Sequence, residues 1–457
     1  MITLKSTQEE WNYAVSLSMN EEKKVSRRRF LKYAGGAVVV VAAAAAGAGY
    51  YETTRPSVTS SSTAITPSTT ASTSAMATGP IKIGGIAPIT GYFASDGQDM
   101  VNGWTMALED INYTIGGRPV QLITDDVGDL AADVTAAAYE KQCTVDNVDI
   151  ILTGYSAVYG NGYEICRRNG VPLIHADTNY QFTKYMQTVG PDAAWMLFMC
   201  DPDNQTYGPI YAGLVDSIIA QGVWKPVNNT DYGLMSSYDY DIVVTRSFIA
   251  QMLQRGWTNV GLDGVSDFNV EWGPSLTKIL ENPPDIIFQS HAVPASEASF
   301  IQQFVANPTK SLVFQHYSPA IPEYLSLAKS AANGVLWMVD LGIAPGSQGD
   351  AWKAAYQSRF KTVPGITQGP NCYDMINLYK SVVESIGTTD KRTVATGILN
   401  SQYQGLCGKY VFRPDIHECI AGDDFLPSWG FQIRDQQHVL ISPAKWAVSQ
   451  FELPPWF

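Results

Sequence analysis

The chain has 457 residues, 45% of them apolar and 11% aromatic, enough to bury more than one substantial core. Charged residues make up 16%, below the roughly 25% of ordinary soluble domains. Residues 81–457 hold 22 Lys and Arg against 38 Asp and Glu, within a formal net charge of −13 for the whole chain. Such an acidic body argues against nucleic acid or an anionic membrane surface as its partner.

The first feature in chain order is "SRRRFLK", Ser26–Lys32, followed by the apolar "YAGGAVVVVAAAAAGAGYY", Tyr33–Tyr51. Basic residues ahead of an apolar run read as an export signal or membrane anchor. The arginine pair with Phe30, Leu31 and Lys32 resembles the twin-arginine export motif. The apolar part, about 18 residues, is at the lower limit for spanning a bilayer at about 1.5 Å per residue. "AMA" at Ala75–Ala77 has the form of a cleavage site but lies far beyond that run. Between Thr53 and Gly79 the chain is rich in Ser and Thr and too polar to fold, so it reads as a flexible or glycosylated stalk. The expected layout is a signal or anchor at 1–52 and a stalk at 53–79, similar to archaeal surface proteins, with the body outside the membrane.

The body alternates. "IKIGGIAPI" reads as a strand, "DMVNGWTMALEDIN" as a helix, "RPVQLITDD" as a strand, "AADVTAAAYEKQCTVD" as a helix and "VDIILTG" as a strand. "YGNGYEICRRNG" is a helix ending at Gly170, and "VPLIHAD" is a strand. The pattern restarts with the helix "YGPIYAGLVDSIIAQG", the strand "DYGLMSS", the helix "DIVVTRSFIAQMLQRGW", the strand "PDIIFQSH", the helix "SEASFIQQFVAN" and the strand "SLVFQHY". "NGVLWMVDLG" is a strand, "DAWKAAYQSRF" and "CYDMINLYKSVVESIG" are helices, and the end is strand-like at "GKYVFRPD", "PSWGFQIRD" and "QHVLISP". Strands alternating with helices of about 10–15 residues imply parallel βαβ units, and two such blocks imply an α/β protein of two doubly wound lobes. In such sheets ligands sit beyond the carboxyl ends of the strands.

Six cysteines suit an exported protein without requiring disulfides. Cys407 and Cys419 flank a short strand-like run and form the best pair by sequence, although spacing alone fixes no connectivity. Asn112, Asn204 and Asn228 each open an N-x-T sequon.

An enzyme is not expected. At Gly154-Tyr155-Ser156-Ala157-Val158 a valine stands where a nucleophile elbow needs its second glycine, and no suitably ordered Asp and His follow. "HEC" at His417–Cys419 lacks a second ligand pair for a metal, and no P-loop is present. No catalytic residue, metal or cofactor is therefore assigned.

The stretches "IKIGGIAPITGYFASDGQDMVNGWTMALEDIN", "VDIILTGYSAVYG", "GVPLIHADTN", "GLMSSYDYDIVVTRSFIAQMLQRGW", "PDIIFQSH" and "YDMINLYKSVVESIG" resemble, in order and spacing, the extracytoplasmic solute-binding proteins of ABC transporters. The likeness is to the branched-chain amino acid and amide/urea group, which has the type I periplasmic-binding-protein fold. It implies two Rossmann-like lobes joined by a three-segment hinge, with crossings near Cys200, Met338 and Gly408 and the ligand in the cleft between. Lobe 1 would hold 80–199 and 339–407, and lobe 2 would hold 200–338 and 408–457. The implied function is capture of a small polar solute, such as an amino acid, short amide, urea or organic acid, for delivery to ABC permease subunits. The alternative is a ligand-binding sensor module working with a membrane signalling partner.

The resemblance also implies the ligand contacts. Ser156 and Ala157 would stand at a helix start, where free N–H groups favour a carboxylate or polarised carbonyl, and Ser156 as a simple N-cap is the competing reading. Asp177 and Thr178 follow the strand "VPLIHAD"; an acid at Asp177 could meet an ammonium or amide N–H, or cap the next turn. Tyr240 matches the tyrosine that closes over the ligand, and His291 and Tyr317 follow two strands of the second lobe. Tyr92 and Tyr155 suit an apolar or planar ligand, or else the core or rim. Ser95 or Asp96 would cap the helix after the first strand or border the cleft. The acid that amino-acid relatives carry near Tyr317 is missing from "QHYSPA", which puts an ordinary amino acid ligand in doubt unless Asp177 or Asp239 replaces it.

Overall fold

The computed structural model describes residues 79–155 and 161–457. The expected signal or anchor at 1–52, the stalk up to residue 78, and Ser156 and Ala157 lie outside the described residues. Among the described residues no helix is long and apolar enough to cross a membrane.

Two sheets organise the body. The first has the order β2-β3-β1-β4-β5-β6, with β1 Ile81–Ala87, β2 Thr114–Ile115, β3 Arg118–Asp126, β4 Ile150–Thr153, β5 Leu173–His175 and β6 Leu197–Met199. All its pairings are parallel except the short β2–β3 ladder. Apart from the partly exposed Lys82, β1 is apolar and buried, as a strand covered on both faces must be. A side chain at Gly85 would come within 2.7 Å of the buried Trp104 ring, so glycine there lets the helix Ala94–Asp110 lie close on the strand. That helix packs with Gln368–Ile386 in a core that includes Met100, Trp104, Met375 and Tyr379.

The second sheet has the order β15-β14-β11-β10-β9-β7-β8, with β7 Thr230–Met235, β8 Thr258–Gly264, β9 Ile286–Ser290, β10 Leu312–His316, β11 Leu336–Val339, β14 Trp429–Arg434 and β15 Gln437–Ser442. It is parallel from β8 to β11 and antiparallel at β14 and β15. Each sheet reverses its winding beside its first strand, at β1/β4 and at β7/β9, and those are the points where a doubly wound sheet opens a crevice.

The third crossing lies later than Gly408, where the sequence put it. Tyr410, Phe412, Cys419 and Leu426 belong to the first core, and Met199 bridges to Glu418. The physical reason is Asp374, a buried carboxyl on the helix Gln368–Ile386, which accepts from Leu406 N, Cys407 N and Tyr410 Oη at 2.8, 2.9 and 3.0 Å. The chain therefore crosses after Leu426, through Ser428, into β14. Buried Asp340, just beyond β11, accepts from Ser428 Oγ at 2.7 Å and from Thr206 Oγ1, so one carboxyl ties all three crossings together.

The six cysteines are free and buried, and Cys407 and Cys419 are not bonded. Of the sequon asparagines, Asn112 and Asn228 are exposed, whereas Asn204 is buried.

Candidate functional site

A cavity of about 170 Å³ lies where the two switch points face each other. The first lobe contributes Phe93 after β1, Tyr155 after β4, the loop 176–179 after β5, and Gln368 from a helix far along the chain. The second contributes Tyr238, Asp239 and Tyr240 after β7, Ala292 after β9, and Tyr317 after β10. Loops after β1, β4, β5, β7, β9 and β10 thus converge, as parallel sheets require of a site at their carboxyl ends.

Five rings shape the cavity. Phe93 lies 6.1 Å from Tyr155 and 6.2 Å from Tyr238, centroid to centroid, while Tyr317 lies 6.2 Å from both Tyr155 and Tyr240. Most of these contacts are edge-on or tilted, the geometry ring quadrupoles favour. Tyr240 Oη is 2.8 Å from His316 Nε2, and His316 Nδ1 is 3.0 Å from Tyr211 Oη. Burial pushes the His316 imidazole down to about 3, so the ring is neutral and positions Tyr240 without adding charge.

Side-chain hydrogen bonds also span the lobes. Tyr317 Oη donates to Asp96 Oδ2 at 2.6 Å, and Gln368 Nε2 donates to the same hydroxyl at 3.2 Å. Gln181 Nε2 donates to Asp239 Oδ2 at 3.0 Å. At the mouth, Tyr92 stacks on Phe268 at 4.0 Å. Burial raises the Asp96 carboxyl to about 7, with repulsion from Asp99 adding to it and hydrogen bonding from Tyr317 and Tyr155 opposing it. Asp96 does not cap its helix; it accepts from Tyr317 across the lobes. Gly91 is required beside it, since its φ is +86° and a Cβ would fall 2.1 Å from Asp129 Oδ1.

The loop after β5 answers the question about Asp177. Asn179 caps the next helix by accepting from Gln181 N at 2.8 Å, which leaves Asp177 free of that duty. Asp177 is 5% exposed and lines the cavity, and its Oδ2 has no hydrogen-bond partner among the described residues. Burial drives its carboxyl well above the usual range, with the Asn179 side chain pulling it part of the way back. Thr178 donates to buried Asp201.

Of the residues expected from the sequence, Asp177, Thr178, Tyr155, Tyr240 and Tyr317 come together around the cavity. Ser156 and Ala157 follow Tyr155 directly but lie outside the described residues. His291 is not in the lining. It is fully buried behind Ala292, with Nε2 3.1 Å from Ser266 O, because β9 ends one residue before it and turns its ring into the lobe. Tyr92 is 53% exposed and sits at the rim. Sequence reasoning missed Asp129, Asn179, Gln181 and Gln368; the last comes from a helix placed here only by the second crossing.

The profile of the periplasmic binding protein family matches residues 80–422. The chain belongs to that family. Among solved structures, this periplasmic binding protein is similar to a putative branched-chain amino acid ABC transporter protein from Silicibacter pomeroyi, at 26% identity over 83% of this chain and 100% of that one, with a TM-score of 0.76. A leucine binding protein from Thermotoga maritima shares 16% identity over 79% of this chain and 98% of its own, TM-score 0.66. A solute binding protein from R. palustris, in complex with benzoate, shares 16% over 81% and 98%, also at 0.66. No curated protein matches the chain.

Proposed function

We propose that this protein captures a small solute between its lobes outside the cell and delivers it to ABC permease subunits. The observation that carries the reading is the interlobe cavity itself, built from strand-end loops of both sheets and bridged by the Tyr317–Asp96 hydrogen bond. A solute held there makes the closed arrangement the stable one, and a permease can then distinguish loaded from empty protein. Asp177, Thr178, Tyr155, Tyr240 and Tyr317 are the proposed contacts, and Ser156 and Ala157, next in the sequence after Tyr155, are proposed with them. Tyr92 guards the mouth, and His291 supports the Ala292 loop from behind. The ligands named for the relatives, leucine and benzoate, frame the size class, and amides and urea fit the same frame. Ser26–Lys32 directs export through the twin-arginine route and Tyr33–Tyr51 keeps the body on the membrane. The test is native mass spectrometry of the purified full chain. A bound small molecule that Tyr240→Ala and Tyr155→Ala release supports the reading, and a cleft that retains and binds nothing overturns it.

A further inference from the structure

The charge of the cavity wall is one-sided. Asp129, Asp177 and Asp239 line it, and among the described lining residues there is no Lys, Arg or His. Two of these acids are engaged: Asp129 accepts from Tyr92 N at 2.7 Å and Asp239 from Gln181. Asp177 is the one with a buried oxygen left over. The neighbouring groups Asp201, Tyr139, Tyr155 and Tyr163 carry no positive charge in any form, and burial holds the one imidazole nearby, His175, neutral at about 3. A buried carboxyl without a countercharge or a full set of donors is a costly feature for a fold to carry. Its natural complement is a positive group arriving from outside.

The rest of the wall suits the same guest. Phe93, Tyr155, Tyr238, Tyr240 and Tyr317 surround the space with ring faces and edges, the setting in which a weakly hydrated cation gains from ring quadrupoles. We infer that the cleft takes a protonated organic amine without a free carboxylate, its cationic head against Asp177 and its carbon frame against the five rings. The inference rests on reading the cavity as the solute site. Burial favours the protonated carboxyl in the empty cleft, so a ligand carboxylate gains no charge attraction there, whereas an ammonium about 5 Å away favours the ionised form by roughly 100-fold at an effective dielectric near 20. The acidic body, 22 Lys and Arg against 38 Asp and Glu beyond residue 80, adds long-range attraction for cations.

The experiment is calorimetry on the full chain with isosteric pairs, phenethylamine against 3-phenylpropionate and n-butylamine against valerate, with choline and leucine alongside. The expected result is that at least one amine or choline binds at least 30-fold more tightly than the matched acid and than leucine. Asp177→Asn should then weaken that binding 10- to 100-fold while leaving the thermal midpoint within a few degrees. Tighter binding of a carboxylic acid or leucine overturns the inference and leaves the transport reading standing. Amine binding that Asp177→Asn does not weaken also overturns it. The comparison of matched pairs on the unmodified protein decides the matter even if the variant fails to fold. A cleft that binds neither series and retains no solute on purification overturns both readings.

Discussion

Tyr317→Phe removes one oxygen atom and is the sharpest probe of lobe closure. The hydroxyl donates across the cleft to Asp96 Oδ2 at 2.6 Å and accepts from Gln368 Nε2 at 3.2 Å. The ring itself keeps its contacts with Tyr155 and Tyr240, so the change is confined to those two bonds. When the lobes part, the hydroxyl and the carboxyl both return to water, and the loss falls on the closed form alone. A buried hydrogen bond between neutral groups is worth about 1 kcal/mol and one to a charged group about 1.5–3 kcal/mol. Asp96 sits at about 7, so it is mostly protonated at pH 5.5 and mostly ionised at pH 8. Solute affinity should therefore fall about 5-fold at the lower pH and up to roughly 100-fold at the higher one, since binding is linked to closure. Calorimetry with the co-purifying solute at both pH values measures this, and small-angle scattering reports the opening. Equal affinity for variant and parent at pH 8, with unchanged dimensions, would refute the idea that this bond latches the lobes.

Three further outcomes follow from buried groups elsewhere. Asp99, Asp340 and Asp374 are raised from 3.8 to about 6 and Glu418 from 4.5 to about 7, each chiefly by burial, so between pH 4 and 7 the unfolded chain loses protons that the folded one keeps. Stability should be greatest near pH 4 and fall as pH rises to 7; a thermal midpoint that rises with pH across that window contradicts the assignment. Asp340→Ala should cost about 1–3 kcal/mol by leaving half-buried Ser428 without its acceptor and loosening the joined crossings, with Asp340→Asn closer to the parent; equal midpoints for all three by calorimetric scanning would count against a hinge role. With six buried free cysteines, a thiol reagent should find six groups after denaturation and almost none before, and reductant should leave the midpoint unchanged; a drop in the midpoint with dithiothreitol would reveal a disulfide.

Where periodicity is strong, residues and structure agree closely. "RPVQLITDD" is β3 to the residue, and "YGPIYAGLVDSIIAQG" ends at a left-handed Gly222 one residue past its helix. Where local pattern is weak, elements went unseen. β8, Thr258–Gly264, lies at a sheet edge with most residues partly exposed, so it carries no apolar alternation, and the helices Tyr180–Val189 and Lys391–Leu399 mix polar residues into short spans. "GKYVFRPD" reads as a strand but supplies only the two-residue β13, Lys409–Tyr410. It pairs only with the equally short β12, Tyr403–Gln404, and Asp374 holds it through Cys407 N and Tyr410 Oη.

The sequence by itself determined the two-block α/β alternation, the acidic body and the loops bordering the cleft, because each is written in neighbouring residues: period, composition and strand ends. Tertiary structure alone decided which side chains in those loops meet. Asp96 joins Tyr317 across the lobes, Asn179 takes the helix cap and leaves Asp177 to the cavity, and Gln368 arrives from a later crossing. Those choices depend on contacts between residues far apart in the chain, and on burial that sets the charge of a carboxyl, neither of which a local pattern encodes.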